Sequence, residues 1–391
     1  MKKIIIWGDD HHNALGLLRM LGGRGFDILF LVHEKDNGIA TVSKFCSNYY
    51  VVDSIEAGLQ YLRDNYKDPV DKAVLLFTAD KFSEAANSIL NSLKDYFYVS
   101  GPEEEGLLEQ IDDKYTMGML AKQCGINIPQ TILIPPVPAA PDCVFPSIIK
   151  PCSPKSKDFK TQIVRNSRQY DEVKKRLMPN RRYVLQSFVN KDADGLIYGC
   201  RDQNGQTHLA GICVRDRWSD DGCGSFGYIT PEIPVAINQK GIADFLEKIK
   251  FRGIFSVEYA LTADDAYFYE FNLRNDGTAV LFYNAGSNIA LHYVNSCFGI
   301  EPSAPVRVAG KQYLINEIRD KFNVYDRNIT LKRWKEDKKK ATLFFYYDPD
   351  DMKPYENQLA RYNWLLFHHI VAKTWINKIR LRIIQKLRAR Q

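Results

Sequence analysis

The first hundred residues alternate short apolar runs with amphipathic segments. The runs have the length of buried strands, and the segments between them place apolar residues at helical spacing. The pattern predicts strands at Lys3–Trp7, Asp27–Val32, Tyr49–Val52 and Ala73–Phe77, and helices at Asn13–Leu21 and Ile55–Tyr66. Such alternation is typical of parallel sheets, which bind ligands at the carboxyl ends of their strands. Gly8–Asn13 and Thr78–Asp80 lie at such ends.

The middle of the chain has a different pattern. Ile111–Gly125 has helical spacing, and the proline-rich segment Ile134–Pro141 predicts a stiff connection between subdomains. A strand at Pro146–Lys150 precedes a polar loop, Cys152–Lys160, which contains three lysines. The glycine-rich stretch Asp220–Gly227 indicates a flexible loop. Further strands are predicted at Tyr183–Val189, Leu196–Asp202, His208–Val214, Phe255–Leu261 and Tyr267–Phe271, with a helix at Gly241–Lys250.

Composition excludes several classes of protein. The chain has 391 residues, of which 45% are hydrophobic and 26% charged, so it can form folded cores and is not a disordered chain. Its eight cysteines contain no Cys-x-x-Cys pair, which favours reduced thiols in a cytoplasm. No segment approaches 18 apolar residues, and the apolar run at the N-terminus is too short for a signal peptide.

Positive charge is concentrated at the C-terminus. Residues 331–391 have 15 Lys/Arg against 6 Asp/Glu, whereas the first 330 residues have 38 against 41. A nucleic-acid-binding protein usually has its basic surface on the folded body. We therefore expect no nucleic-acid partner.

Candidate chemistry is concentrated in a predicted hairpin. Glu270, Asn272 and Arg274 alternate on one face of its second strand, and antiparallel pairing would bring Glu258 near Glu270 if their faces agree. Two carboxylates and an amide oxygen are ligands that suit Mg²⁺, and an arginine beside them could hold an anion. The alternative is a solvated hairpin face with a salt bridge.

The hairpin resembles the metal-binding strand pair of the ATP-grasp superfamily, in which a Glu precedes a Glu-x-Asn-x-Arg motif by twelve residues. Here Glu258 precedes Glu270–Arg274 by that interval. Three earlier segments also resemble the family and occur in its order: Asp113–Thr131, the strand Pro146–Pro151 and the hinge strand Tyr183–Val189. Ser43–Val52 is similar to a stretch found in some amino-acid-ligating members.

The resemblance implies an α/β chain with three parts. These are a parallel α/β domain at 1–100, α+β ATP-grasp subdomains at 101–300 that clamp the nucleotide, with a small lid at about 148–190, and a basic helical extension at 301–391. It implies ATP and one or two Mg²⁺, with Mn²⁺ as an alternative. It assigns phosphate contacts to Lys114, Lys150 and Lys160, adenine contacts to Gln186 and Val189, metal binding to Glu258, Glu270 and Asn272, and stabilisation of substrate or transition-state charge to Arg274, Arg215 and Arg217.

Three positions depart from the family pattern. Many members have Glu where Gln186 stands, a glycine-rich loop where Cys152–Lys160 stands, and Pro where Leu273 stands. The departure at Gln186 leaves the nucleotide preference open, and the departure at Cys152–Lys160 leaves the turnover rate open. The neighbouring pair His11 and His12 is interpreted as exposed imidazoles at the start of a helix rather than as catalytic groups.

The activity implied is ATP-dependent joining of a carboxylate to an amine through an acyl phosphate. The chain looks most like ligases related to D-aspartate ligase, including an acidic-proline motif at Tyr347–Pro354. Such enzymes attach an amino acid to a cell-envelope precursor. The alternatives are a ligase for a small soluble metabolite or dipeptide, and a non-catalytic ATP-binding regulator or scaffold.

The tail forms a separate hypothesis. Residues 364–391 combine an apolar stripe with seven Lys/Arg and no acidic residue after Ala372. This pattern predicts an amphipathic helix that contacts an anionic membrane at its cytoplasmic face; the alternative is a helix docked on the body. A homodimer is a further expectation of the resemblance.

Overall fold

The computed structural model describes residues 1–33, 38–134, 144–153, 156, 159–219, 222–364 and 367. Three β-sheets form its framework, and helices pack against them. The predicted α/β class is therefore confirmed. The helices are His12–Leu21, Ile55–Asn65, Asp80–Asn87, Leu90–Leu93, Leu107–Ile111, Lys114–Gln123, Ser167–Lys174, Gln239–Lys248, Ala279–Asn284, Ile289–Phe298, Phe322–Tyr325, Leu331–Lys340 and 353–364, with a 3₁₀ turn at Arg319–Lys321.

The N-terminal sheet is parallel and has the four predicted strands together with a fifth, Phe97–Val99, which the sequence pattern did not predict. Their spatial order is Tyr49–Val52, Asp27–His33, Lys3–Asp9, Ala73–Phe77 and Phe97–Val99. Residues of the first strand alternate between two cores, because successive side chains of a strand point to opposite faces. The strand order reverses between Lys3–Asp9 and Ala73–Phe77, which opens a crevice at their carboxyl ends.

A small sheet, called the lid below, overlaps the region 148–190 that was predicted as the lid. Its strands are antiparallel and lie in the order Thr131–Leu133, Tyr183–Ser187, Ser147–Pro151 and Gln162–Val164. The lid has its own apolar core, which includes Ile149, Tyr170 and Leu185. The predicted proline-rich connection lies almost entirely outside the described residues.

The large sheet spans most of the second half of the chain. Its strands are Ala266–Asn272, Phe251–Leu261, Ala193–Arg201, Thr207–Trp218, Gly224–Thr230, Gln312–Ile315 and Ala341–Phe344 in spatial order, and Gly101–Pro102 pairs with Phe251–Leu261. Two of these strands lie beyond residue 300, so the large sheet continues into the predicted C-terminal extension. The domain boundaries themselves stay predictions.

The interpretation of Asp220–Gly227 as a flexible loop is wrong for its second half. Gly224–Thr230 is a strand that pairs on both sides, with Thr207–Trp218 and with Gln312–Ile315. A Cβ at Gly227 would lie 2.0 Å from the Val214 carbonyl oxygen. Glycine here permits close backbone approach within a strand, and composition alone cannot distinguish that from a flexible loop.

The acidic-proline motif has a structural role in the fold. Asp351 is buried and accepts hydrogen bonds from Arg19 Nε at 3.0 Å, Ser43 Oγ at 2.7 Å and the Lys44 backbone N–H at 2.9 Å. Arg19 lies on the first helix and is 1% exposed, and it also donates to the Tyr346 carbonyl at 2.8 Å. The motif thus holds the N-terminal domain against the end of the large sheet.

The predicted membrane-contacting helix at 364–391 lies, apart from residues 364 and 367, outside the described residues. Within the described part of the chain, no helix is both long and apolar enough to span a membrane.

Replacing Asp351 with alanine should lower the free energy of unfolding by about 3–5 kcal/mol, because it leaves the buried Arg19 charge without its main partner. The midpoint of urea unfolding measures this loss. Asp350→Ala is the matched control, since Asp350 is exposed and its loss should cost less than about 0.5 kcal/mol. Equal midpoints for the two variants would contradict the role given to Asp351.

Candidate active site

Two carboxylates face each other across the hairpin of the large sheet. Glu258 and Glu270 are directly paired in the antiparallel register, and Ser256 is paired with Asn272 one step further along the same face. The Asn272 side-chain amide donates to Ser256 Oγ at 3.2 Å, which fixes its orientation. The pairing expected from the sequence is present, and both Glu258 and Glu270 are only partly exposed.

Repulsion within this pair affects Glu258. Burial is the largest effect on Glu258; Arg215 opposes it and the neighbouring carboxylates of Glu270 and Asp276 reinforce it, and together these effects raise the pKa of Glu258 to about 7. Arg215 NH2 lies 3.6 Å from Glu258 Oε2. The guanidinium has an additional buried donor, because its Nε has no hydrogen-bond partner among the described residues. Arg215 can therefore offer a hydrogen bond to a further anion.

Cations approach the carboxylates from the other side. Lys114, the first residue of helix Lys114–Gln123, places its Nζ 3.3 Å from Glu270 Oε2, and its backbone N–H donates to the Cys152 carbonyl at 2.9 Å. It therefore connects the hairpin to the base of the lid. Lys114 is therefore held by contacts with the hairpin and with the base of the lid, and is not a freely solvated helix charge.

Lys150 and Gln186 lie on one face of the lid sheet. Lys150 Nζ donates to Gln186 Oε1 at 2.8 Å, and Gln186 Nε2 donates to Thr131 Oγ1 at 2.8 Å. Burial, reinforced by the Lys114 charge and opposed by Glu270, lowers the pKa of Lys150 to about 8. The lid thus contributes a buried amine close to the carboxylate pair.

Arg274 joins the hairpin to the N-terminal sheet. Its Nε and NH2 donate to the two carboxylate oxygens of Asp80 at 3.0 and 3.1 Å, and NH2 also donates to Asn272 Oδ1 at 2.9 Å. Asp80 begins a helix just after strand Ala73–Phe77, at the crevice predicted from the sequence. Arg274 therefore lies between the metal-binding candidates and the ligand end of the parallel sheet.

Three predicted site residues lie apart from this cluster. Arg217 binds Asp320 and Asp337 at 2.7 and 2.8 Å, so it holds the C-terminal region together rather than meeting Glu258. Lys160 is exposed at the edge of the lid. Val189 follows the hinge strand and lines an open cavity of about 370 Å³. The functional roles of these residues stay predictions.

Sequence reasoning missed several members of the site. Asp276 is buried beside Arg274, at 3.7 Å from its NH1, and it also influences Glu258. Ser256 and Thr131 orient Asn272 and Gln186. Each of these three residues lies within or next to a motif that was recognised, but the Thr131–Gln186 bond joins strands 55 residues apart in the sequence, which no local pattern indicates.

The interpretation of His11 and His12 as exposed is also wrong. Both are partly buried, and their rings lie 3.8 Å apart. Burial lowers the pKa of His12 well below its usual value, with a further contribution from His11. The His12 ring packs against Gly277, where an added Cβ would lie 2.6 Å from Nε2.

The donor set fits a hard divalent cation. Glu258 and Glu270 present carboxylate oxygens from directly paired positions, which is the ligand type that Mg²⁺ prefers. Asn272 fits less directly, because its Oδ1 accepts a hydrogen bond from Arg274 and its amide donates to Ser256. Asn272 would have to exchange the Arg274 contact to serve as a ligand.

Comparison with known proteins supports the geometry at the level of the fold. Neither a protein-family model nor a curated protein matches the sequence. Solved structures do match. N5-carboxyaminoimidazole ribonucleotide synthetase in complex with ADP has a TM-score of 0.62 and 17% identity, covering 84% of this chain and 85% of its own.

Two further solved structures match over a similar share of the chain. The L-amino acid ligase from Bacillus licheniformis has a TM-score of 0.58 and 13% identity, covering 81% of this chain and 80% of its own. A third match is the biotin carboxylase domain dimer of 2-oxoglutarate carboxylase from Hydrogenobacter thermophilus, solved with MgADP and bicarbonate. It has a TM-score of 0.60 and 11% identity, and the match covers 81% of this chain and 74% of its own. The chain has the ATP-grasp fold, as the sequence motifs predicted.

Gly224→Ala should destabilise the site region. An added Cβ would lie 2.2 Å from Arg215 Cδ, so the buried arginine would have to leave its place beside Glu258. We expect a loss of about 1–3 kcal/mol in the free energy of unfolding, as for other overpacked sites, measured by urea denaturation. Gly310→Ala is the control because its Cβ would meet no atom within 4 Å. An unchanged midpoint for Gly224→Ala would contradict the packing described here.

Proposed function

We propose that this chain is an ATP- and Mg²⁺-dependent ligase that joins a carboxylate to an amine through an acyl phosphate. The observation that carries the proposal is the directly paired Glu258 and Glu270, with Lys114, Lys150 and Arg215 around them. The shared fold supports it, since similar structures include proteins named as a synthetase, an amino acid ligase and a carboxylase, two of them with ADP.

The chemistry needs two displacement steps and no covalent enzyme intermediate. A carboxylate oxygen of the substrate attacks the γ-phosphorus of ATP, and the bond from that phosphorus to ADP breaks. The amine nitrogen then attacks the acyl carbon, phosphate leaves, and the amine loses a proton. Catalysis in such transfers consists mainly of positioning and charge stabilisation.

Residues of the lid and of the hairpin divide this task. Lys150 and Lys114 lie where they can neutralise phosphate oxygens, and Gln186 offers an amide to the nucleotide base or ribose. Glu258 and Glu270 would hold Mg²⁺, with Asn272 as a further ligand after exchange. Bound Mg²⁺ supplies Lewis-acid stabilisation of the phosphate charge.

Arg215 is the better candidate for the acyl phosphate. Its buried Nε has no hydrogen-bond partner among the described residues, and its side chain lies beside Glu258. Arg215 can therefore donate a hydrogen bond to an incoming anion. Arg274 is saturated by Asp80, Asn272 and the Asn275 carbonyl, so we propose that it positions the metal-binding strand and binds substrate only after exchange.

For the substrates, we propose an amino acid as the carboxylate and an amine of a cell-envelope precursor as the acceptor. The resemblance of Ser43–Val52 and Tyr347–Pro354 to amino-acid-ligating members supports this choice. A cytoplasmic homodimer, with residues 364–391 at the inner face of an anionic membrane, would suit a lipid-linked acceptor.

Phosphate release should be stimulated by one or a few amino acids when the purified chain receives ATP, Mg²⁺ and hydroxylamine as a surrogate amine. Glu270→Gln should lower the stimulated rate by about 100-fold or more, because it removes a metal ligand whose electrostatic effect is worth several kcal/mol. A panel of D- and L-amino acids identifies the activated carboxylate.

Glu301→Gln serves as the control, since Glu301 is exposed and outside the hairpin. Full activity of Glu270→Gln would contradict the assigned site. Tight ATP binding with no stimulation by any carboxylate would instead favour the non-catalytic regulator. Efficient ligation of small free amines would favour the soluble-metabolite ligase.

ATP affinity should also depend on pH through Lys150. Its pKa of about 8 means that the ammonium is charged below pH 8 and becomes neutral above it, and ATP binds the charged form. We therefore expect the ATP dissociation constant to rise by up to about tenfold per pH unit between pH 8 and 9.5. Isothermal titration at each pH measures the effect. Lys150→Arg should flatten the profile, and an equally steep profile in that variant would assign the titration to another group.

A further inference from the structure

Two histidines and an aspartate lie close together on the large sheet, away from the carboxylate hairpin. Asp202 follows strand Ala193–Arg201, His208 lies near the start of the next strand, and His292 lies on helix Ile289–Phe298. His208 is paired with Cys200, four residues along the strand from the partner of Glu258. That separation is about 13 Å along the strand, so the cluster is distinct from the candidate active site.

The ligand atoms of the three side chains are close together. One atom from each residue lies within 4.8 Å of the other two. His208 Nε2 is 2.9 Å from Asp202 Oδ2, and the rings of His208 and His292 are 4.2 Å apart. The other carboxylate oxygen of Asp202 accepts from the Gln206 backbone N–H at 2.8 Å, which fixes the carboxylate and directs Oδ2 into the cluster.

His292 is the member whose position needs an explanation. It is 8% exposed, and neither of its ring nitrogens has a hydrogen-bond partner among the described residues. A buried polar group without a partner costs about 1–3 kcal/mol. A neutral imidazole whose ring nitrogens have no hydrogen-bond partner among the described residues has a lone pair available for coordination.

We propose that Asp202, His208 and His292 form a second metal site that takes Zn²⁺ or a similar borderline divalent cation. Two imidazole nitrogens and one carboxylate oxygen are a ligand set that zinc uses, whereas Mg²⁺ prefers oxygen ligands alone. Solvent would complete the coordination, since the His208 side chain is 22% exposed. The bound ion would connect the turn at Asp202 to helix Ile289–Phe298.

The test is Zn²⁺ titration of the metal-free full chain by calorimetry, in millimolar Mg²⁺ to keep the carboxylate pair occupied. Wild type should bind one Zn²⁺ that His292→Phe binds more than about 100-fold more weakly, since even the loss of an outer partner costs roughly 10–100-fold. Phenylalanine keeps the ring volume, and circular dichroism checks that the variant is folded.

His33→Phe is the matched control, because His33 also pairs with an aspartate, Asp9, at 3.1 Å, but within the described part of the chain no second histidine completes a metal-ligand group there. It should keep the site. Asp202→Asn should weaken binding in a second, independent way. Equal Zn²⁺ binding by wild type and His292→Phe would overturn the proposal.

Cobalt substitution identifies the ligands directly. Co²⁺ at this site should give visible d–d absorption without a thiolate charge-transfer band. Intense charge transfer, which would point to Cys200 or Cys297 nearby, would also overturn it. None of these readouts depends on ligase activity, so they stay informative if the proposed function fails.

Discussion

Like charges placed opposite each other are the central constraint of this molecule. An antiparallel hairpin in this register puts Glu258 against Glu270, and such a pair is unfavourable without compensating positive charge. The surrounding structure supplies that charge from three directions. Lys114 comes from a helix that begins at the base of the lid, Lys150 from the lid sheet, and Arg215 from a strand that is separated from the hairpin by strand Ala193–Arg201. The candidate site exists because these elements converge on one carboxylate pair.

The same constraint explains close packing around the hairpin. Arg215 can lie beside Glu258 only because the adjoining strand has glycine at position 224, where any side chain would occupy the arginine's path. The missing side chain at Gly224 therefore leaves room for the Arg215 charge beside Glu258, and this glycine is not needed for backbone flexibility. The strand Gly224–Thr230 is ordered and paired on both sides, although its composition suggests a loop.

Buried arginines attach the N-terminal sheet to the rest of the chain. Arg274 binds Asp80 at the carboxyl ends of the strands of that sheet. Arg19, on the first helix, binds Asp351, which lies near the end of the described chain. Both pairs join parts that are separated by 190 residues or more. Arg274 thereby holds the carboxyl ends of the parallel strands next to the carboxylate hairpin.

The sequence by itself determined four of the five N-terminal strands, the carboxylate hairpin and the ATP-grasp fold, because these depend on local periodicity and on motifs with fixed spacing. For the same reason, the motifs were enough to identify four residues of the candidate site: Glu258, Glu270, Lys114 and Lys150. Only the tertiary structure decided the partners of the arginines, the burial of His11 and His12, and the meeting of His208 with His292. Those contacts join residues far apart in the chain, and no local pattern records which distant side chain will compensate a charge or leave a ring nitrogen without a partner.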